Sequence, residues 1–397
     1  MAASSSSKRE PSETTINTYK KLLLDNSFAD LTISVAKEKV NSHRAVVAIR
    51  CEEIQPMPPT DPKLKKKIKD KGAITLKEGV PNQNILVQVL AYLYTGKVNF
   101  PKLESRAILQ LRKAAAHFKL DRLEWLCESY LYETMSMDNI FHVLKASQDA
   151  NEETIKDFCL KYALNHYNEF VTNKNGLHIL GIDLFQEVVA SQANQARFER
   201  VTLRPEPADT LIDDFERLYQ AMPYSDLKFI VDGEEINCHK AILAAASEKF
   251  IPLVKDAPPN GIEMRALSAV AFRAMLRYIY FGDEQIDSLP ACELVPFART
   301  YDLPDLQRVC ENKIRGNVST DTVLGILEVA YMPEIAHKQD LVEELKSKAF
   351  PFILEHLKEI DLGPLKGMNP VIAQDLVINI QDYQRKRKAG GGRAGWK

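Results

Sequence analysis

The feature that most constrains the fold of this chain is an internal duplication. Residues 29–54 align without a gap to residues 225–250, and the shared residues keep their spacing throughout. Two further pairs follow in the same order: LAYLYTG at 90–96 with LRYIYFG at 276–282, and HFKLDRLEWLCESYL at 117–131 with TYDLPDLQRVCENKI at 300–314. Because whole segments repeat in order, the sequence predicts two copies of one folding unit rather than one recurring short motif.

Length and composition fit two such copies in an ordinary globular protein. The chain has 397 residues, of which 45% are hydrophobic and 27% charged, with a formal net charge of −2. A charge so near zero gives no overall field to attract nucleic acid or an anionic membrane. The polar start MAASSSSKREPSETT lacks the apolar core of a signal peptide, and no long apolar run follows. We expect a cytoplasmic and/or nuclear protein with protein partners, with no membrane and no nucleic acid among them.

The cysteines indicate neither a disulfide framework nor a metal site. All six lack CxxC or zinc-ligand spacing, and they are sparse for a disulfide scaffold: Cys51, Cys127, Cys159, Cys238, Cys292 and Cys310. Cys127 and Cys310 occupy equivalent helical positions, where a free thiol acts as a small buried apolar group. We expect reduced thiols and no metal. No nucleophile, metal or phosphate constellation recurs, so the sequence predicts a protein that is not an enzyme and has no cofactor.

Each repeat predicts an α+β unit, because strand patterns come early and helical patterns follow. An amphipathic helix at 15–25 or 210–221 precedes a hairpin of alternating apolar residues, and Asp232-Gly233 is typical of a tight primed turn. Lys37-Glu38 replaces the Asp-Gly in the first repeat, so we expect a longer or less ideal turn there. Gly96 and Gly282 are expected to end helices in the left-handed conformation.

The motif order in both copies resembles the BTB (POZ) domain. The residues that carry the resemblance are ADLTISVAKEKVNSHRAVVA with YLYTG, and SDLKFIVDGEEINCHKAILAAASEKF with YIYFG. The helical segments after them resemble BACK domains, so the chain looks like a tandem BTB-BACK protein. No repeats of the length of kelch blades precede the first copy. The expected layout is 1–14 disordered, 15–134 BTB, 135–192 BACK, 193–209 linker, 210–316 BTB, 317–384 BACK and 385–397 a basic disordered tail.

The resemblance implies a protein-interaction adaptor, and many BTB-BACK proteins bridge Cullin-3 to substrates of ubiquitination. The family's cullin contact includes a hydrophobic-x-acidic motif, which Val254 and Asp256 supply in the second copy, while the first copy has QPMPP at 55–59 instead. It also includes an aromatic residue between paired helices, present as Phe118 and Tyr301. The second copy is therefore the better cullin candidate. A BTB oligomerising scaffold or transcription-linked regulator that binds no cullin stays open, as does the identity of the substrate.

The resemblance also implies self-association. The dimer groove of BTB domains is lined by a charged pair, for which Asp30 with Arg44, and Asp226 with Lys240, are the candidates. The first helices pair in dimers, and their apolar residues here are Leu22, Leu23, Leu211, Phe215 and Leu218. Pairing within one chain and pairing across two chains are both compatible with the sequence. Burying a charged pair costs its hydration, so we expect these pairs to specify assembly rather than to add stability.

Two basic segments stand outside this scheme. The run KLKKKIKDK at 63–71 lacks aromatic residues that would stack on bases, so we interpret it as a solvated loop inserted in the first copy. Arg385, Lys386, Arg387 and Lys388 form a candidate nuclear import signal, and a solubilising tail is the alternative.

Overall fold

The computed structural model describes residues 11–57, 72–316, 318–332 and 339–389. It divides into two compact units: one holds Tyr19–Tyr224, and the other holds Pro11–Thr18 together with the chain from Ser225 onward. The division therefore falls after the first helix of the second repeat and not inside the expected linker at 193–209. The basic run at 63–71 and residues 390–397 of the expected tail lie outside the described residues.

The first repeat builds a small sheet with helices around it. Strand β1 pairs antiparallel with β2 and parallel with β3, giving the order β2-β1-β3. Leu31, Ile33 and Val35 of β1 are buried, so the alternating pattern does place one face of the strand in the core. The elements are α1 (Glu13–Leu24), β1 (Leu31–Val35), β2 (Glu38–Ser42), α2 (Arg44–Arg50), β3 (Ala73–Thr75), α3 (Gln83–Thr95), α4 (Ser105–His117) and α5 (Asp121–Glu133).

The hairpin turn of the first repeat differs from the expectation. Val35 pairs with Glu38, so the loop has two residues, Ala36 and Lys37, with φ of 48° and 74°. Of the two expected outcomes, a longer turn is wrong and a less ideal turn is confirmed, because the strand register imposes a primed turn on two non-glycine residues. Each non-glycine residue held there costs on the order of 1 kcal/mol. Strand pairing thus outweighs the local preference of these two residues.

Seven further helices follow in the same unit. A break at His166 separates two of them, Glu153–Asn165 and Tyr167–Thr172. The bounds are α6 (Ile140–Ala150), α7 (Glu153–Asn165), α8 (Tyr167–Thr172), α9 (Lys174–Leu180), α10 (Ile182–Ser191), α11 (Gln195–Glu199) and α12 (Leu211–Ala221). Helix α12 belongs to the second repeat in sequence, yet it packs on α2. This packing explains why the first unit extends to Tyr224.

The expected linker is held on the first unit by polar contacts. The indole N–H of Trp125 donates to the carbonyl of Arg204 at 2.8 Å. The guanidinium of Arg122 pairs with Glu206 at 3.1 Å and with Asp209 at 3.2 Å. The charged residues that looked typical of a solvated linker therefore attach it to α5.

The second repeat forms the same sheet order, β5-β4-β6, and a two-residue turn at Asp232 and Gly233. Gly282 ends its long helix with φ 75°, and Gly96 ends the equivalent helix with φ 68°, as expected. The elements are β4 (Leu227–Val231), β5 (Glu234–Cys238), α13 (Lys240–Ala246), α14 (Ile251–Lys255), β6 (Ile262–Glu263), α15 (Ala269–Phe281), α16 (Ser288–Thr300), α17 (Pro304–Gly316), α18 (Val323–Ala330), α19 (Gln339–His356) and α20 (Pro370–Ala389).

The last helix corrects the expected tail. Helix α20 continues to Ala389, so residues 385–389 are helical and not disordered. Lysine and arginine favour helices, and Arg385 pairs with Asp382 one turn earlier at 3.7 Å. At the other end, α1 starts at Glu13, two residues before the expected start. No helix of the described residues is both long and apolar enough to cross a membrane.

Candidate partner-binding surfaces

The histidine of each repeat is fixed by a tyrosine of the long helix. The main-chain N–H of His43 donates to the hydroxyl of Tyr94 at 2.8 Å, and its Nδ1 lies 3.0 Å from the same oxygen. His239 and Tyr280 repeat this arrangement at 2.9 and 2.8 Å. All four residues are buried, and burial raises the pKa of Tyr94. The histidines therefore support the junction between hairpin and helix, and Tyr94 and Tyr280 are fully buried.

The candidate cullin contact of the second repeat centres on an aromatic cluster. Tyr301 follows α16 and stacks on Phe250 and Phe297, with ring centroids 4.5 and 4.3 Å apart. Phe250 is fully buried and immediately precedes α14, whereas Tyr301 is half-buried, and burial raises its pKa. The stacked rings therefore fix the end of α16 beside the start of α14, and leave part of the Tyr301 ring accessible.

The expected hydrophobic-x-acidic motif is only partly available to a partner. Asp256 is exposed at the end of α14, but Val254 is fully buried and belongs to the core of its unit. The sequence could not distinguish these two positions, because it gave no orientation for the short helix. Of the cullin-contact candidates in the second repeat, Asp256 and Tyr301 are accessible to a partner.

In the first repeat, the residue equivalent to Tyr301 is buried. Phe118 is 2% exposed, and its carbonyl accepts a contact from Cys51 Sγ at 3.9 Å. Cys51 to Met57 form turns rather than a helix like α14, consistent with the proline that follows at 56. Outside them, Lys119 and Glu53 pair at 2.8 Å, and this contact lowers the pKa of Glu53. Phe118 is therefore a core residue of its unit, and a contact of its ring with a cullin stays a prediction.

The two candidate charged pairs make a main-chain contact in each repeat. A carboxylate oxygen of Asp30 accepts from the N–H of Arg44 at 2.8 Å, and Asp226 accepts from the N–H of Lys240 at 2.9 Å. Each aspartate thereby satisfies an N–H in the first turn of the following helix. Arg44 also lies over the ring of Tyr224, with 5.5 Å to the centroid. The pairs thus organise the start of α2 and α13.

The first-helix residues are buried in the first unit. Phe215 and Leu218 are fully buried, and the ring of Phe215 stacks on Tyr19 at 3.7 Å with an angle of 8° between the planes. Tyr19 and Phe215 occupy equivalent positions in the two repeats, so equivalent helices meet at equivalent residues. Leu211 and Leu22 are also buried, Leu23 is half-buried, and Leu24 is 74% exposed. The apolar stripes of both first helices are therefore largely covered.

In each repeat, the glycine that ends the long helix lies close to a residue of the other repeat's N-terminal segment. A Cβ on Gly96 would lie 3.2 Å from Leu211 within the first unit. A Cβ on Gly282 would lie 2.8 Å from Thr15 within the second unit. Thr15 and Leu211 are equivalent residues, as are Gly96 and Gly282. Residues 11–18 of the first repeat thus belong to the second unit, just as α12 of the second repeat belongs to the first unit.

A buried ion pair, which sequence reasoning missed, accompanies α12. Arg50 pairs with Asp214, and their side chains are 3% and 9% exposed. Arg50 Nε also donates to the carbonyl of Leu93 at 3.2 Å, and its guanidinium lies over the Tyr92 ring at 5.5 Å from the centroid. Thr210 Oγ1 donates to Asp214 at 2.8 Å. The mismatch of Arg50 with Ala246 in the aligned repeats was the signal that could have revealed it.

Equivalent clefts in the two repeats differ in charge. A cleft of about 1200 Å³ between α4 and α6 has Arg106, His142 and Lys145 in its lining. A cleft of about 480 Å³ between α16 and α18 has Glu328 in the place aligned with Lys145, and also Asp321. The first cleft also has acidic residues in its lining, among them Glu104 and Asp149, and the second has Asp361. The copies have therefore diverged at this position.

Chemistry-bearing groups in the described residues form no metal site. The part of the chain that the structure describes contains no group of three His, Cys, Asp or Glu side chains arranged to hold a metal ion. All six cysteines are free and buried, and burial raises the pKa of each thiol. Of the candidate import signal, Arg385 to Lys388, the backbone is helical.

Comparisons with known proteins agree with this architecture. The family model described as BTB/POZ domain matches residues 19–135 and 215–318, which together exceed half of the chain. The chain is 26% identical over 317 residues to the human protein named leucine-zipper-like transcriptional regulator 1, covering 74% of this chain and 36% of that protein. It is 32% identical over 161 residues to mouse TD and POZ domain-containing protein 3, covering 39% of this chain and 42% of that protein. The matched part of the chain therefore spans less than half of the length of either relative.

Proposed function

This chain belongs to the BTB/POZ domain family, and from that premise we propose that it is an adaptor that recruits Cullin-3 through its second repeat and brings a substrate protein to the ubiquitin ligase. The observation that carries the proposal is the half-exposed Tyr301 on its platform of Phe250 and Phe297. An aromatic ring held rigidly at a surface loses little conformational freedom on binding, which is typical of interface hot spots.

The second repeat is favoured over the first by what each offers to a partner. Asp256 and Tyr301 are accessible in the second repeat, whereas the equivalent Phe118 is buried in the first. The helix α14, which precedes Asp256, has no counterpart among residues 51–57. One cullin per chain is the stoichiometry that follows from these differences.

The proposed adaptor performs no bond chemistry itself. By binding a cullin and a substrate at once, it makes the encounter of a substrate lysine with the charged ubiquitin enzyme effectively intramolecular. The helices α6 to α10 and α18 to α20 are assigned in this proposal to BACK domains, which would extend each BTB repeat toward the substrate. The substrate is a protein whose identity the proposal leaves open.

The two BTB repeats are proposed to pair within one chain. Support comes from the stacking of Tyr19 on Phe215, which are equivalent residues, and from the burial of Leu211 and Leu218. Pairing within a chain buries these faces without the loss of translational freedom that a dimer of chains incurs. Light scattering should therefore give the mass of one chain at micromolar concentration, and a two-chain mass would contradict pairing within the chain.

The recruiting function is tested by a pull-down of the intact chain with the purified N-terminal domain of Cullin-3. Retention of the cullin domain supports the adaptor. Its absence with folded, monodisperse chain would remove the cullin proposal and leave the family membership untouched.

A second candidate is a regulator that assembles on protein partners in the nucleus without a cullin. It is favoured by the name of the 26% identical human relative, leucine-zipper-like transcriptional regulator 1, and by the cluster Arg385 to Lys388. The test is the distribution of tagged chain in cells after all four residues are replaced by glutamine. Loss of nuclear accumulation supports this candidate, and cytoplasmic residence of the unaltered chain argues against it.

A further inference from the structure

The ion pair between Arg50 and Asp214 is present on one side of the exchanged helices only. In the gap-free alignment of the two repeats, Arg50 corresponds to Ala246, and Thr18 corresponds to Asp214. The offset is supported independently, because it also matches Tyr19 with Phe215 and Thr15 with Leu211, whose environments correspond in the structure. The side that carries Thr18 and Ala246 is therefore uncharged at the place where the other side carries a buried pair.

We propose that this ion pair determines which repeat may accept which first helix, so that α12 of the second repeat docks only on a first repeat. The proposal rests on the proposed pairing of the two repeats within a chain, and it adds the residues that impose the direction. It assigns the face formed by Arg50 and Tyr92 as a receptor for the acidic first turn of α12.

Each alternative pairing would leave a buried charge without its partner. If two first repeats paired with each other, Arg50 would face Thr18, and the cation would be deprived of Asp214. If two second repeats paired, Asp214 would face Ala246 and would keep only Arg217, on its own helix at 3.2 Å, as a charged partner. An isolated charge at a site as enclosed as this one, with side chains 3% and 9% exposed, is strongly unfavourable. Charge thus disfavours both the pairing of two first repeats and the pairing of two second repeats, as in other interfaces that exclude wrong partners.

A neighbouring contact also differs between the two repeats. Arg122 pairs with Asp209 at 3.2 Å, just ahead of α12. The residue aligned with Arg122 in the second repeat is Asp305, which instead accepts from Thr14 Oγ1 at 2.6 Å. Glu13 is the residue aligned with Asp209, so both first helices are preceded or begun by an acid here, and this contact by itself does not select between them.

The test is a double-mutant cycle in the full chain. The variants are Arg50→Asp, Asp214→Arg and the charge-exchanged pair R50D/D214R, followed by thermal unfolding and light scattering. Each single reversal should lower the unfolding midpoint by on the order of 10 °C and shift the mass away from one chain, because a buried like-charge contact replaces the pair. The exchanged pair should recover at least half of the midpoint loss and the one-chain mass.

The matched control is Asp213→Arg, which makes the same change of charge at the exposed neighbour of Asp214. It should leave the midpoint within about 2 °C, as exposed charge changes usually do. If a reversal prevents folding, the neutral cycle of Arg50→Gln, Asp214→Asn and R50Q/D214N supplies the same comparison.

If the effects of the two single changes simply add in the double variant, residues 50 and 214 are not in contact. That result would overturn the proposal, because the two residues meet only when a first repeat pairs with a second. Unchanged mass and midpoint in both single reversals would overturn it as well. Cullin binding by the unaltered chain is a separate measurement, so a failed adaptor proposal and a failed pairing direction give different results.

Discussion

Replacing Tyr94 or Tyr280 by phenylalanine removes one oxygen and leaves the ring in place. That oxygen accepts from the main-chain N–H of a buried histidine at 2.8 Å in the first repeat and 2.9 Å in the second. Loss of the acceptor of a buried N–H costs about 1–3 kcal/mol, whereas the ring itself continues to fill its site. We expect each variant to lose about 1–3 kcal/mol of unfolding free energy.

The two repeats supply an internal comparison for this prediction. Both sites have the same geometry, so the two single variants should lose similar amounts, and the double variant should lose their sum because the sites lie in different units. The assay is denaturant unfolding followed by circular dichroism, with Tyr132→Phe as the control. Tyr132 is 37% exposed and lies on α5, away from the hairpin-to-helix junction, so the control should change stability by less than about 0.5 kcal/mol. Losses below that value at both Tyr94 and Tyr280 would refute the assigned role of the hydroxyls.

Two other predictions concern buried groups. Burial raises the pKa of Cys51 to about 11 and that of Cys310 to about 12, so at pH 8 only about one of these thiols in a thousand or fewer is ionised in the folded chain. Alkylation followed by mass spectrometry should therefore label all six cysteines quickly only after unfolding. Rapid labelling of the native chain would contradict their burial. A Cβ on Gly176 would lie 2.1 Å from the ring of Phe141, which stacks on Phe170 at 4.7 Å, so Gly176→Ala should cost about 1–3 kcal/mol by overpacking, measured by chemical unfolding against Gly367→Ala, where nothing stands within 4 Å; equal stability of the two variants would show that the ring moves freely.

The duplication made most of the fold predictable. Alternation in β1 and β4, the glycines that end α3 and α15, and the two histidines are local signals, and each was repeated, so each copy supported the other. The hairpin turn at Ala36 and Lys37 was not predictable, because the strand register imposed a conformation that these residues do not prefer. The continuation of α20 to Ala389 was missed because a basic, glycine-rich composition was taken as disorder, although arginine and lysine are good helix formers.

The candidate surfaces were harder to predict than the fold. Val254 and Phe118 match a family pattern by sequence, but their burial depends on how a short helix and a helix end are oriented. The contact of Arg50 with Asp214 joins residues 164 apart in sequence, and no local periodicity reports such a pair. The attachment of 204–209 to α5 was missed for the same reason, since a charged, proline-containing segment indicates a linker until its partners are known.

The central claim is that the second repeat recruits a cullin through Tyr301. Its most direct test is calorimetric titration of the Cullin-3 N-terminal domain into the intact chain, into Tyr301→Ala and into Tyr132→Ala, an exposed tyrosine of the first repeat. We expect micromolar or tighter binding by the intact chain and by Tyr132→Ala, with an affinity at least about 30-fold weaker for Tyr301→Ala, as for a hot-spot residue. Equal affinities of all three chains, or no binding by the intact chain, would contradict the claim.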